Sequence, residues 1–429
     1  MLTVLAALLL LLAFFWPPLL WPAKIATIGL AILVVVDLLL LYLPQDAFFA
    51  RRTCADRLSN GDDNNIDVYL ENRYKFDTKV TIIDEVPFQF QARDKNFKTN
   101  LSKVSEKQIR YTLHPTERGE YSFGALNVFV RSPIGLLMRR YQFAQDKMVP
   151  VYPSYIQMRK YELMAISNRL HEYGIKKIRR IGHSMEFEQI KEYVGGDDYR
   201  TVNWKASART GKLMINQFQD EKSQRVYAVI DKGRTMRFPF EGMTLLDYAI
   251  NASLVICNIA IKKSDRAGLV TINSQLNAVL KANKLGGQMK KIQELLYRER
   301  SDFEETDFGK LYSLFRTRLS TRSLILLFTN FTSMSGLQRR LPYLRKIARG
   351  HVLVVIFFQD TELSDYLKRD VGDLESVYQK VVGERFASEK RQIARELEKY
   401  GIQAVLTEPE NLTVDTINKY LELKARGMI

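Results

Sequence analysis

Val226-Tyr227-Ala228-Val229-Ile230-Asp231 is the stretch that decides how the C-terminal half of this chain folds. Five apolar or aromatic residues in a row leave no polar face, so a strand built from them must be covered on both sides. Outward from this run, Leu245 to Lys262 reads as a long amphipathic helix, with Leu245, Ile250, Leu254, Val255, Ile259 and Ile261 at its apolar positions. Leu269-Val270-Thr271-Ile272, Leu324-Ile325-Leu326-Leu327-Phe328 and Val352-Leu353-Val354-Val355-Ile356-Phe357-Phe358 are further strands of the same kind. Continuous apolar strands separated by helices predict an α/β doubly wound, mainly parallel sheet over residues 223–429. Ligands of such sheets sit at the carboxyl ends of strands, where Asp231 falls. Leu374 to Leu397 and Val414 to Ala425 are charged, amphipathic helices that close the module.

The other end of the chain is apolar. Leu2 to Trp21 contains no charge and is broken by Pro17-Pro18, while Ile25 to Leu43 carries one charge, Asp37. Each is near the roughly 20 residues that cross a hydrocarbon core of about 30 Å. A cleaved signal peptide fits poorly, because there is no basic leader and a second apolar span follows at once. Residues 1–50 therefore read as two transmembrane helices forming an N-terminal transmembrane helical hairpin, with Pro17 to Lys24 as its turn. Arg51, Arg52 and Arg57 follow the second span whereas the turn offers only Lys24. The positive-inside rule then makes this a multi-pass protein of the inner (cytoplasmic) membrane with its soluble domains facing the cytoplasm. Asp37 at a helix centre costs about 2.5–3.5 kcal/mol on insertion scales. It reads as a polar contact to a neighbouring helix or as a tolerated, partly snorkelled carboxylate.

Between these ends, residues 60–155 have period-two texture. Ile66 to Leu70, Val80 to Ile83, Phe88 to Gln91, Arg110 to Leu113 and Ala125 to Val130 alternate, and turn residues separate them at Asn60-Gly61-Asp62-Asp63, Pro115 to Gly119 and Ser132-Pro133-Ile134-Gly135. Six or seven strands in this length predict an all-β antiparallel sandwich, immunoglobulin-like in outline.

The 429 residues carry 64 Lys and Arg against 48 Asp and Glu, a formal charge of +16. The basic residues are interspersed with carboxylates, as in Lys290-Lys291 followed by Glu294. That dispersal argues against nucleic acid, and attraction to an anionic cytoplasmic leaflet or simple solubility accounts for the charge. Cys54 and Cys257 lie far apart, and His114, His171, His183 and His351 are scattered, so neither a disulfide framework nor a zinc spacing can be built.

Residues 156–222 connect the two domains and hold the most unusual sequence. Glu192-Tyr193-Val194-Gly195-Gly196-Asp197-Asp198-Tyr199-Arg200 is followed by Asn203-Trp204-Lys205-Ala206-Ser207-Ala208-Arg209-Thr210-Gly211. The glycines permit a tight turn carrying two adjacent acids. Val202, Trp204 and Ala206 alternate with polar residues, which suits a segment packed on one side. A nucleotide cyclase also shows two glycines before acids, but these flanks belong to a different pattern. The plainer alternative is a linker in which Asp197 and Asp198 pair with Arg200, Lys205 or Arg209.

The order Glu-Tyr-x-x-Gly-Asp-Asp-x-Arg-x-x-Asn-Trp-Lys-Ala-Ser-Ala-Arg-Thr-Gly, from Glu192 to Gly211, resembles the signature of the domain-of-unknown-function 58 family, with Gly195 where the family often has proline. The resemblance extends to Arg118-Gly119-Glu120-Tyr121, to Ser132-Pro133-Ile134-Gly135-Leu136 and to the paired apolar spans. It implies a C-terminal von Willebrand factor A-like (Rossmann-like) domain and a MoxR-type AAA+ ATPase as partner. Such domains often hold a divalent cation through an Asp-x-Ser-x-Ser loop, whose hard oxygen donors suit it. Here the loop is Asp231-Lys232-Gly233-Arg234-Thr235, and the other two positions are Thr306 and Asn330. The middle hydroxyl and one carboxylate are lost, and Lys232 and Arg234 add positive charge beside the site. The set Asp231, Thr235, Thr306 and Asn330 is thus a degenerate metal site: no cofactor is expected, with Mg²⁺ the one candidate. Otherwise Asp231 and Thr235 cap the following turn and helix. The expected function is a non-catalytic, membrane-anchored interaction or scaffold protein working with the ATPase on client proteins. The alternative is an enzyme with a site around the Gly-Gly-Asp-Asp turn.

Overall fold

The computed structural model describes residues 11–428 except 13, 14, 17, 19, 91–95, 145, 167–185, 196, 198, 220–222, 302, 303 and 360–373. Its contacts divide the chain into two compact units, one ending at Tyr152 and one beginning at Pro153.

The first unit opens with α1 (Leu20–Tyr42). The predicted turn at Pro17 to Lys24 is shorter than expected, because the helix has started by Leu20 and absorbs Pro22 in its first turn, where a missing N–H costs nothing. Trp21 consequently belongs to α1, and most of the first predicted span lies outside the described residues. α1 is long and apolar enough to cross a membrane.

Ten strands follow: β1 (Phe48–Thr53), β2 (Leu58–Ser59), β3 (Asn64–Asn72), β4 (Thr78–Asp84), β5 (Asn96–Leu101), β6 (Ser105–Leu113), β7 (Gly119–Phe123), β8 (Leu126–Arg131), β9 (Met138–Phe143) and β10 (Lys147–Tyr152). They form sheets β1-β3-β6, β5-β4-β8-β9 and β2-β10-β7, antiparallel throughout except the short β2–β10 pairing. Alternate residues (Ile66, Val68 and Leu70 of β3, Val80 and Ile82 of β4, Val128 and Val130 of β8) meet in one apolar core. Phe88-Gln89-Phe90, read as part of a strand, is instead a 3₁₀ turn. Within this core Arg52 pairs with Asp84 at 2.5 Å, both side chains buried, and the guanidinium lies 4.8 Å from the Phe123 ring centre.

Asp37 does neither of the two things expected of it. Its Oδ1 accepts from the Ser132 hydroxyl and its Oδ2 from the Leu137 N–H at 2.7 Å, so its partner is the β8–β9 loop. Leu41 is buried in the strand core, and its carbonyl accepts from Tyr74 Oη at 2.8 Å and Arg139 Nη1 at 2.5 Å. A cation on the last carbonyls of a helix also complements its dipole. The C-terminal turns of α1 are therefore built into the β-rich unit.

The second unit begins with α2 (Tyr155–Ile166), then the connector hairpin β11 (Glu186–Glu192) and β12 (Met214–Gln219) with α3 (Trp204–Thr210) between them. Next come β13 (Arg225–Asp231), a small hairpin of β14 (Pro239–Phe240) and β15 (Met243–Thr244), α4 (Leu245–Lys262), β16 (Arg266–Ile272), β17 (Leu276–Asn283), α5 (Gln288–Arg298) and α6 (Phe308–Thr317). β18 (Leu324–Phe328), α7 (Met334–Gly350), β19 (Val352–Phe358), α8 (Leu374–Lys399), β20 (Gln403–Thr407) and α9 (Leu412–Ala425) complete it.

The sheet order is β17-β16-β13-β18-β19-β20, parallel except for β17, which folds back antiparallel on β16. The expected two-sided covering is present in a mixed sheet. Val226, Ala228 and Ile230 of β13 pack in the cluster that contains α4, α5 and α9. Tyr227 and Val229 pack in the one that contains α6, α7 and α8. α4 was expected to be amphipathic, yet it is buried at nearly every position from Leu245 to Ala260, because α2 lies on it beyond the sheet. Its apolar length alone would pass for a membrane span, but it is a core helix. A capping box between Thr244 and Asp247 starts it.

Candidate functional site

β13 is central, and the chain leaves it first toward β16 and later returns to β18 on its other side. The crevice beyond its carboxyl end is thus a topological switch point, where α/β sheets hold ligands. Asp231 ends β13 there and is fully buried. Its Oδ1 accepts from the Gly233 N–H at 2.8 Å and from the Thr306 hydroxyl, and its Oδ2 accepts from the Thr329 hydroxyl at 2.6 Å. Asn330 Nδ2 donates to the Thr235 carbonyl at 3.4 Å, so Thr235 enters through its backbone. The four predicted residues do come together. Thr329 was missed, although it directly precedes Asn330; it follows the last residue of β18, and only the folded structure displays that its hydroxyl meets Asp231.

Two sequence inferences about charge and capping change. Lys232 adds no free positive charge: it is buried and paired with Glu299 at 2.7 Å, and Glu299 also accepts from Thr271 Oγ1 at 2.8 Å. Arg234 is exposed and reaches Glu305 at 3.6 Å. Asp231 caps only the first turn, through the Gly233 N–H, whereas α4 is capped by Thr244.

A cleft of about 40 Å³ opens over these residues, lined by Arg234, Thr235, Thr306, Asn330, Ser333 and Arg339 among others. Arg340 borders it and lies over the Phe308 and Phe331 rings at 5.2 and 5.7 Å. The buried Asn330 Oδ1 has no hydrogen-bond partner. As arranged, the donors do not fit a divalent cation. The one carboxylate already accepts three hydrogen bonds, and no described cluster of three His, Cys, Asp or Glu could hold a metal. Position 233 cannot supply the lost hydroxyl either, since a Cβ there would stand 2.5 Å from Thr306 Oγ1. Millimolar Mg²⁺ is therefore expected to leave the thermal midpoint of the full-length protein in detergent unchanged; a rise of several degrees would show specific binding to the native state.

The signature residues build a second, separate feature. Asn203 Oδ1 accepts from the Ala206 N–H at 3.0 Å and caps α3, while its Nδ2 donates to Asn216 Oδ1 at 2.8 Å. Ser207 Oγ donates to the Asn203 carbonyl at 2.8 Å and accepts from the Met214 N–H at 2.8 Å, tying α3 to β12. Gly211 ends the helix in a left-handed conformation (φ 71°) that suits glycine. Tyr193 N–H donates to the Leu213 carbonyl at 2.8 Å, and Glu192 pairs with Lys212 at 3.2 Å.

Among the described side chains, Asp197 pairs with neither Lys205 nor Arg209, the partners expected of it in a linker. It accepts from Lys191 Nζ at 2.9 Å and the Val194 N–H at 3.0 Å, which together hold its carboxyl below the usual range. Gly196 and Asp198, and the side chain of Arg200, lie outside the described residues. Trp204, expected to pack inward, is 73% exposed, and Lys205, Ala208 and Arg209 share its exposure, because α3 buries no residue at all.

The family described as "Protein of unknown function DUF58" matches residues 189–399, from the connector hairpin to the end of α8. The uncharacterized protein YeaD of Bacillus subtilis (strain 168) is 23% identical over 262 residues, covering 58% of this chain and 61% of its own length. Among solved structures, the PapD-like domain 7 of human CEP192 is 14% identical and covers 25% of this chain and 87% of its own, at a TM-score of 0.20. The CARDB domain of PF1109 from Pyrococcus furiosus is 16% identical and covers 25% and 94%, at a TM-score of 0.17. Scores so low carry no argument about fold. The family match through residues 189–399 includes the Glu192–Gly211 signature, and together with the likeness to YeaD it supports the assignment of this chain to the DUF58 family.

Proposed function

We propose that the protein is a non-catalytic, membrane-anchored interaction protein of the inner membrane, and that its partner is a MoxR-type AAA+ ATPase acting with it on client proteins. The observation that carries this reading is how the signature is spent. Asn203, Ser207 and Asp197 turn their polar atoms inward on the connector, and what α3 offers outward is Trp204 with Lys205 and Arg209. An exposed tryptophan flanked by cations is the composition of a binding hot spot, whereas an active site needs convergent polar groups in a cavity.

The same reading takes the α/β module as von Willebrand factor A-like and working without a cation. In support, Asp231, Thr306 and Asn330 meet at the strand-end crevice, and the Thr306 hydroxyl is bonded to the carboxylate that would otherwise face a metal. α1 anchors the assembly, and the soluble units face the cytoplasm. A pull-down from detergent-solubilised membranes tests the reading. Wild type is expected to recover an AAA+ ATPase and Trp204→Ala to lose it, with unchanged circular dichroism. Equal recovery of the same proteins by both would remove α3 as the docking face.

A further inference from the structure

The β8–β9 loop is the best-built surface that the interaction reading leaves unused. Its tip, Pro133-Ile134-Gly135-Leu136, carries no charge; Pro133, Ile134 and Gly135 are exposed and Leu136 is half-buried. Its backbone donors are cared for from within, because Ser132 Oγ accepts from the N–H groups of Ile134 at 3.1 Å and Gly135 at 3.3 Å. A loop that satisfies its own N–H groups can leave water at less cost than an open one. Ser132 and Asp37 are both buried, and through them and the Leu137 N–H the loop is fastened to α1.

The fastening point sets the depth. Asp37 lies five residues before Tyr42, the last residue of α1, which is roughly 7 Å along the helix axis. The sides of α1 at that level are apolar and exposed, including Val35, Val36, Leu38 and Leu39. We propose that Pro133–Leu136 is a second membrane contact, seated at the boundary between headgroups and acyl chains beside α1. The exposed Arg131 and Arg140 on the flanking strands then face anionic headgroups. The loop also surrounds Asp37, whose carboxylate would otherwise stand bare among lipid tails. This inference rests on α1 being a membrane span, and it adds that the β-rich unit lies against the bilayer surface.

Full-length protein reconstituted in phosphatidylcholine–phosphatidylglycerol vesicles tests it. Ile134→Cys and Ile32→Cys, each in a Cys54→Ser background, are labelled with an environment-sensitive fluorophore. The remaining Cys257 is buried, and burial pushes its thiol pKa up to about 12, so it stays unlabelled in the native protein. Both probes are expected to emit blue-shifted light; lipid spin-labelled near the headgroup should remove most of the Ile134→Cys signal, and lipid labelled deep in the chain most of the Ile32→Cys signal. A quenched Ile32→Cys with a water-like, unquenched Ile134→Cys overturns the loop contact and leaves the anchor standing. If neither probe is quenched, the anchor fails and the loop contact with it.

Discussion

Arg52→Leu is expected to destabilise the β-rich unit by about 3–5 kcal/mol, because it strands a carboxylate in a dry core. Asp84 is buried and keeps only the Tyr111 hydroxyl, at 2.5 Å, once the guanidinium is gone. The arginine also donates to the Gly124 carbonyl at 3.1 Å and covers the Phe123 ring, so its loss leaves a void as well as a charge. The double variant Arg52→Leu/Asp84→Leu removes both charges and should recover much of the loss, which separates the cost of a lone buried ion from the worth of the pair. Urea denaturation of the full-length protein in detergent, followed by circular dichroism, reads this directly. A single variant within about 1 kcal/mol of wild type would mean that water reaches Asp84.

The second large effect separates a structural acid from a functional one. Asp231→Ala orphans the Gly233 N–H and the hydroxyls of Thr306 and Thr329 in a buried place. An unsatisfied buried donor costs about 1–3 kcal/mol, and hydroxyls can rotate to other acceptors, so the expected total is about 3 kcal/mol. Asp231→Asn keeps the volume and one accepting oxygen and should cost less. A carboxylate retained for catalysis or for a metal behaves differently, since sites built for function are often held at a cost in stability. A stabilised Asp231→Ala, measured by the same denaturation, would contradict the structural role given to this residue.

How legible these features were depended on burial and on distance along the chain. β13, β18 and β19 could be read because a strand covered on both faces must be apolar at every position. β17 and β20 could not, because sheet-edge strands are only partly buried and their sequences, such as Leu276 to Asn283, carry no clean period. In the β-rich unit, β9 reads Met-Arg-Arg-Tyr-Gln-Phe, alternately exposed and half-buried with no residue fully buried, and its two adjacent arginines hide the period of a strand. The partner of Asp37 was out of reach for another reason. Ser132 is 95 residues away, and a sequence read locally can assign a buried charge only to a neighbour or to solvent. Trp204 misled because alternation with Val202 and Ala206 suggested a segment packed on one side, while Asn203 caps a helix at that very place. The site at the end of β13 was visible through its acid, but its chemistry turned on hydroxyl positions fixed by strand register.

Docking of a MoxR-type ATPase on the signature helix α3, as proposed above, is read by an affinity titration. Full-length protein in nanodiscs is immobilised and the purified ATPase is passed over it, with Trp204→Ala alongside. The account predicts saturable binding to wild type and at least about 30-fold weaker binding to Trp204→Ala, the loss of a hot-spot residue worth about 2 kcal/mol. No binding to wild type, or equal affinity for both proteins, would contradict it.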